Sequence, residues 1–113
     1  MFPITVVNPR RDDWNNEWNS RKFHPSLVEQ INWELDHLED ADVIVFCFDP
    51  NTMSPISLLE LGLFARSNKV IVYCPEEYFR VENVATVCSR YKIPFVNSLS
   101  ELAERAVAKI YEE

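Results

Sequence analysis

Glu60 stands inside an apolar run, Ser54-Pro55-Ile56-Ser57-Leu58-Leu59-Glu60-Leu61-Gly62, which also holds the only glycine of the chain. Ser54 followed by Pro55 reads as a helix N-cap with proline at the first helical position. Leu58, Leu59, Leu61 and Phe64 surround Glu60 on most of the helix circumference, which argues against a fully solvated carboxylate. The ordinary alternative is a glutamate on the solvent face of an amphipathic helix. A carboxylate in a partly dry site has two uses: it attacks an electrophilic carbon, or it serves as a general acid or base with a raised pKa. A second carboxylate, Asp49, ends the strand Val43-Ile44-Val45-Phe46-Cys47-Phe48, and by itself reads as loop capping. The free backbone N–H groups over residues 54–57 suit an anion.

Other polar residues fall where a parallel sheet would gather them, at the carboxyl ends of strands. Asn8, Pro9, Arg10 and Arg11 follow an apolar strand at residues 4–7, Asp49 and Asn51 follow the second strand, and Glu76 and Glu77 follow the third. Arg10 and Arg11 form either a solvated turn or a seat for one phosphate. Trp14 and Trp18 lie in a long loop over residues 10–23, where a hydrophobic lid over the core weighs at least as much as base stacking. Gln30 and Glu34, four residues apart, share a helix face, with Trp33 one step around. His24 and His37 have no partners at ligand spacing, so no metal site is expected. One glycine cannot form a glycine-rich phosphate loop, and no Ser-His-Asp arrangement is visible.

The elements that must position these residues alternate. Residues 4–7 form a strand. A helix opens at His24-Pro25-Ser26, carries Leu27, Ile31, Leu35 and Leu38 at helical spacing, and ends near Glu39-Asp40. The second strand, residues 41–48, is apolar on both faces, as a central parallel strand would be. A helix over residues 55–67, a strand over 69–73, a helix over 81–91 with Val84, Val87 and Cys88 inward, and a proline-bearing edge strand over 93–96 follow. Ser98 and Glu101 form a capping box for a last helix with Leu102, Ala106 and Ile110 inward. The pattern predicts a four-stranded parallel sheet with helices on both faces, in one domain spanning residues 1–113.

The 113 residues suit one domain, and a net charge of −7 argues against a protein that grips the nucleic-acid backbone. Cys47, Cys74 and Cys88 are odd in number and lack metal spacing, so reduced, packed thiols in an intracellular, cytoplasmic setting are expected. No signal peptide is visible, and no apolar run approaches the ~18 residues of a membrane span.

Taken in order, Asn8-Pro9-Arg10-Arg11, Gln30-Ile31-Asn32-Trp33-Glu34, Ala41-Asp42-Val43-Ile44 and Leu59-Glu60-Leu61-Gly62 resemble the nucleoside 2-deoxyribosyltransferase-like family. The stretch from Ser54 to Glu60 is also similar to the loop and helix of deoxynucleoside 5′-monophosphate N-glycosidases. The resemblance implies a flavodoxin-like, Rossmann-like three-layer α/β sandwich. It implies cleavage of an N-glycosidic bond, or 2-deoxyribosyl transfer, on nucleosides or their monophosphates. Glu60 would be the nucleophile, and Asp49 would hold or protonate the substrate. Asn8, Arg10, Arg11, Trp14, Gln30, Glu34, Ser54 and Ser57 would line the substrate site. Neither a cofactor nor a metal is implied, the ligand is a small nucleoside or nucleotide, and a homo-oligomer is expected.

Two departures from the family accompany the likeness. Members begin with a further strand and a glycine-containing loop, whereas this chain starts at what corresponds to their second strand. An aspartate-glycine run precedes their glutamate, where Ser54-Pro55-Ile56-Ser57 stands here. A partner subunit would then complete the pocket, or the fold would bind a nucleotide without turning it over, or it would serve assembly through a sheet edge or an apolar helix face.

Overall fold

A computed structural model describes residues 25–112. The chain divides into two units, Met1–Ala41 and Asp42–Glu113. Of the first unit, the described part is helix α1, Pro25–Asp40. Its start at Pro25 follows the favourable placing of proline in a first helical turn, and His37 O accepts from Ala41 N at 2.9 Å where the helix ends. The expected stripe is rotated: Ile31 and Trp33 are exposed, while Gln30 is buried. Gln30 hides its polar end by donating from Nε2 to Glu34 Oε1 at 3.0 Å, one helical turn on. Trp33 packs instead on His37, ring centroids 4.1 Å apart.

The second unit runs β1 (Ile44–Cys47), α2 (Pro55–Phe64), β2 (Val70–Tyr73), α3 (Val81–Arg90), β3 (Phe95–Val96) and α4 (Leu99–Ile110). The three strands are parallel in the order β1-β2-β3, with Ile44 opposite Val70 and Val72 opposite Phe95. This is the parallel α/β architecture expected from the alternation of elements, and the flavodoxin-like fold that the resemblance implies. The predicted strand at residues 4–7 lies outside the described residues.

Because strand side chains alternate between faces, the register sorts the core into two layers. Ile44, Phe46, Val70 and Val72 share one face and are all buried. Ile71 and Val96 lie on the other, where Leu102 of α4 meets them together with Tyr73 and Ala106. Two right-handed crossovers stepping in the same direction place α2 and α3 together on the first face; α4 spans all three strands. β3 lies at the sheet edge, and there Pro94, which has no N–H to give, offers its carbonyl to Val72 N at 2.9 Å.

Two expectations about the strands are corrected. β1 is four residues long rather than eight, and it alternates buried and exposed, with Val45 and Cys47 open to solvent. Central burial belongs to β2, which is paired on both edges. Cys47 is therefore not a packed thiol, whereas Cys74 and Cys88 are buried, and all three are free. Burial pushes Cys74 and Cys88 up to about 11, and burial together with Asp49 raises Cys47. A disulfide-exchange reagent is expected to modify Cys47 alone in the folded protein, at a rate still rising with pH beyond 9, since the thiolate is the reacting form. Cys74 and Cys88 are expected to react only after denaturation. Fast modification of two or three thiols at neutral pH would contradict this packing.

The helix ends show how short signals act. Ser98 Oγ accepts from Glu101 N at 3.0 Å and caps α4, the half of the box that its spacing promised. α3 ends with Lys92 in the left-handed region at φ 57°, and Ile93 N reaches back to Cys88 O at 2.8 Å. That is the bond of a glycine-type C-cap, made here by a lysine. Lys92→Gly is expected to raise stability by ~0.5–1 kcal/mol, because a side chain costs energy at this backbone angle. Chemical denaturation would show a higher midpoint at unchanged slope, and a lower midpoint would contradict the assignment.

Candidate active site

Two loops meet at the carboxyl edge of the sheet: residues 48–54, between β1 and α2, and residues 74–80, between β2 and α3. The first is folded on itself by Asp49. Its Oδ1 accepts from Asn51 N at 2.8 Å, and its carbonyl accepts from Thr52 N at 3.2 Å. One carboxylate oxygen thus serves the turn, as Asp residues commonly do after a strand. Thr52 Oγ1 and Ser54 Oγ share a hydrogen bond of 2.7 Å.

Ser54 stands at the N-cap of α2 with φ 47° and ψ 52°, in the left-handed region, and its side chain caps no helix N–H. The expected Ser54 side-chain cap is therefore corrected: its hydroxyl is engaged with Thr52, and the helix instead begins with Leu58 N donating to Ser54 O at 3.1 Å. Pro55 occupies the first helical position as expected.

The second loop supplies the anchor. Tyr78 is 1% exposed, and its hydroxyl donates to Met53 O at 2.6 Å. Its ring lies 4.8 Å from that of Phe48 and 5.2 Å from that of Phe79. Burial, and then Cys74, raise the phenol above its ordinary value, so Tyr78 stays a protonated donor at neutral pH. One buried side chain thus ties the turn ahead of α2 to the turn ahead of α3. Sequence reasoning missed Tyr78 because Glu76-Glu77-Tyr78-Phe79-Arg80 reads as a plain polar turn, and no local spacing marks its aromatic as the buried one.

Glu60 is half-buried on α2, and so is Ser57, one turn earlier on the same flank. The leucines around Glu60 are not all turned inward: Leu61 is buried, whereas Leu59 and Leu63 face solvent. The corrected picture puts Glu60 at the border between the core side of α2 and an exposed apolar stripe. Glu60 is thus not fully solvated, as expected, although its apolar neighbours lie on opposite sides of the helix.

Of the residues expected to act together, Asp49, Ser54, Ser57 and Glu60 fall on one loop and the helix it feeds. Gln30 and Glu34 form their hydrogen-bonded pair in the first unit. Asn8, Arg10, Arg11 and Trp14 lie outside the described residues. Among the described residues, no group of three His, Cys, Asp or Glu side chains is placed to hold a metal ion. No helix among them is long and apolar enough to cross a membrane.

The chain belongs to the nucleoside 2-deoxyribosyltransferase-like family, whose model matches residues 2–78. The match contains Glu60 and the Asp49 turn, and it ends at Tyr78, within the turn ahead of α3. No curated protein matches the chain.

Proposed function

We propose that this chain, acting as one domain over residues 1–113, cleaves the N-glycosidic bond of a deoxynucleoside or its 5′-monophosphate through Glu60. In the first step a Glu60 carboxylate oxygen bonds to C1′ while the C1′–N bond breaks. The base leaves with the bonding electron pair and takes up a proton, which Asp49 supplies or steers. In the second step the oxygen of water, or the nitrogen of another base, bonds to C1′ while the bond from C1′ to the Glu60 oxygen breaks, and the proton the nucleophile loses returns to the group that gave one up in the first step, Asp49 or solvent. A carboxylate beside C1′ suits the oxocarbenium character of both transition states, and two displacements retain the anomeric configuration.

The observation that carries this reading is the placing of Glu60 within the family match, half-buried on α2 beyond a turn fixed by Asp49 and Tyr78. Supporting roles follow by chemistry. Arg10 and Arg11, with the α2 start at Ser54 and Ser57, suit a 5′-phosphate. Trp14 suits the base, and Asn8, Gln30 and Glu34 suit sugar hydroxyls. The protein needs no cofactor in this scheme, works as a homo-oligomer, and its free thiols suit a cytoplasmic setting.

One observation favours a second reading, nucleotide binding without turnover: Asp49 already spends an oxygen on its own turn. Chromatography of a mixed panel of deoxynucleosides and 5′-monophosphates separates the two. Free base appearing over time supports the enzyme, with monophosphates expected to react faster than nucleosides. Saturable nucleotide binding with no base release overturns it in favour of the second reading.

A further inference from the structure

The single glycine of the chain stands inside α2, where glycine weakens a helix relative to alanine. A Cβ added to Gly62 would meet nothing within 4 Å, so close packing among the described residues does not account for the missing side chain. What Gly62 does instead is widen a groove between α2 and α3, about 310 Å³ in volume. A larger side chain at this position would stand in that groove.

The groove follows from helical spacing. Asn83, Val84 and Val87 are three and four residues apart and share one face of α3. Leu58, Leu61 and Gly62 repeat that spacing on α2. Glu60 stands two residues beyond Leu58 and two short of Gly62. At about 100° per residue this puts it on the other flank of α2, away from the groove. The groove is therefore not the site that carries Glu60.

Its lining is chemically one-sided. Leu58, Leu61, Val84 and Val87 give an apolar floor, and Arg80 is the one charged residue that lines it. Arg80 and Asn83 are both exposed and sit where α3 begins, so the polar groups gather at one end. The Arg80 guanidinium lies over the Phe79 ring, 5.2 Å from its centroid, and stacking of this kind leaves the in-plane N–H donors to another partner. The acidic neighbour Glu82 stands a further step around α3, outside the lining. A mostly apolar concavity with a few placed polar groups is the usual form of a small-molecule site, and this volume lies at the lower end of the range for such sites.

We infer that the α2–α3 groove binds a small carboxylate with an apolar body. The carboxylate pairs with the Arg80 guanidinium and accepts from the Asn83 amide. The body lies along Leu58, Leu61, Val84 and Val87, over the opening at Gly62. Charge complementarity selects this class. A neutral apolar molecule would gain nothing from Arg80, and a cation would be repelled by it. A nucleotide would press sugar hydroxyls against an apolar floor that offers them no partner, which is costly. The ligand thus differs in kind from the proposed substrate, and the inference stands whether or not Glu60 cleaves a nucleotide.

Titration calorimetry of the full chain with octanoate tests the site, with octanol and octylamine as controls for the charge. Octanoate is expected to bind saturably with a Kd on the order of 0.1–1 mM, and both controls at least ~10-fold more weakly. Arg80→Gln, which removes the ion pair, and Gly62→Leu, which fills the groove, are each expected to weaken octanoate at least ~10-fold. Both positions are exposed, so both variants are expected to keep the wild-type far-ultraviolet circular dichroism. Glu60→Gln, on the other flank, is expected to bind octanoate as the wild-type chain does. No saturable binding by the wild-type chain overturns the inference, including the case in which residues 1–24 or a second copy fill the groove. Octanol or octylamine binding as tightly as octanoate overturns it, because the site would then read apolar surface alone. Unchanged affinity in either groove variant, or a loss in Glu60→Gln, places the ligand elsewhere and overturns it as well.

Discussion

Replacing Glu60 by alanine is expected to reduce base release by on the order of 10⁴-fold, the scale on which removal of a covalent nucleophile acts. On the proposed chemistry the loss is one of bonding rather than of binding. Without the carboxylate no glycosyl intermediate forms, and the sugar must be displaced directly by water. Glu60→Gln keeps nearly the same shape but lacks an anionic oxygen, so it is expected to fall nearly as far while nucleotide affinity changes little. Because Glu60 is half-buried at the edge of an exposed stripe, neither change should lower the melting temperature much. Steady-state kinetics and thermal melting of both variants check this. A variant that lost activity only through unfolding would contradict the assigned role.

Tyr78 carries the second large effect. Tyr78→Ala removes an aromatic ring that is 1% exposed between Phe48 and Phe79, and a loss of ~3–5 kcal/mol is expected. For a domain whose whole stability is about 5–15 kcal/mol, that leaves little in reserve. Tyr78→Phe is the informative partner. It keeps the ring and deletes only the donor to Met53 O, at a cost of ~1 kcal/mol. On the proposed chemistry, loosening the turn that leads into α2 should lower kcat more than it raises KM, since the carboxylate loses its aim rather than the substrate its seat. Urea denaturation gives the first quantity and kinetics the second. Equal stability of Tyr78→Ala and the wild-type chain would remove Tyr78 as an anchor.

Much of the architecture was legible because its signals are local. Residues 70–73 are β-branched or aromatic without interruption, Ser98 precedes Glu101 by three, and Pro25 and Pro55 each stand where a helix begins. What local signals cannot state is which way an apolar residue turns when apolar residues surround it. α2 is apolar nearly all round, so the sequence could not separate Leu61, which enters the core, from Leu59, which does not. β1 posed the same difficulty, since Val45 and Cys47 look as buried as Ile44 and Phe46 until the sheet order is known.

At the candidate site the carboxylates were legible by type and place, and their support was not. Glu60 was marked by standing alone in an apolar helix. Tyr78 acts across 25 residues on a backbone carbonyl, a contact that no spacing rule reaches. The Asp49 turn was foreseen in its ordinary form, whereas the left-handed backbone of Ser54 was not, because serine has no general preference for that region.

Covalent trapping tests the central claim most directly. The protein is mixed with a reactive deoxynucleoside 5′-monophosphate, quenched in acid within the first turnover, and digested for peptide mass analysis. The account predicts added mass equal to the deoxyribosyl phosphate on the peptide containing Glu60, absent in Glu60→Gln. Steady base release with no adduct on that peptide, or an adduct on another carboxylate, would contradict it.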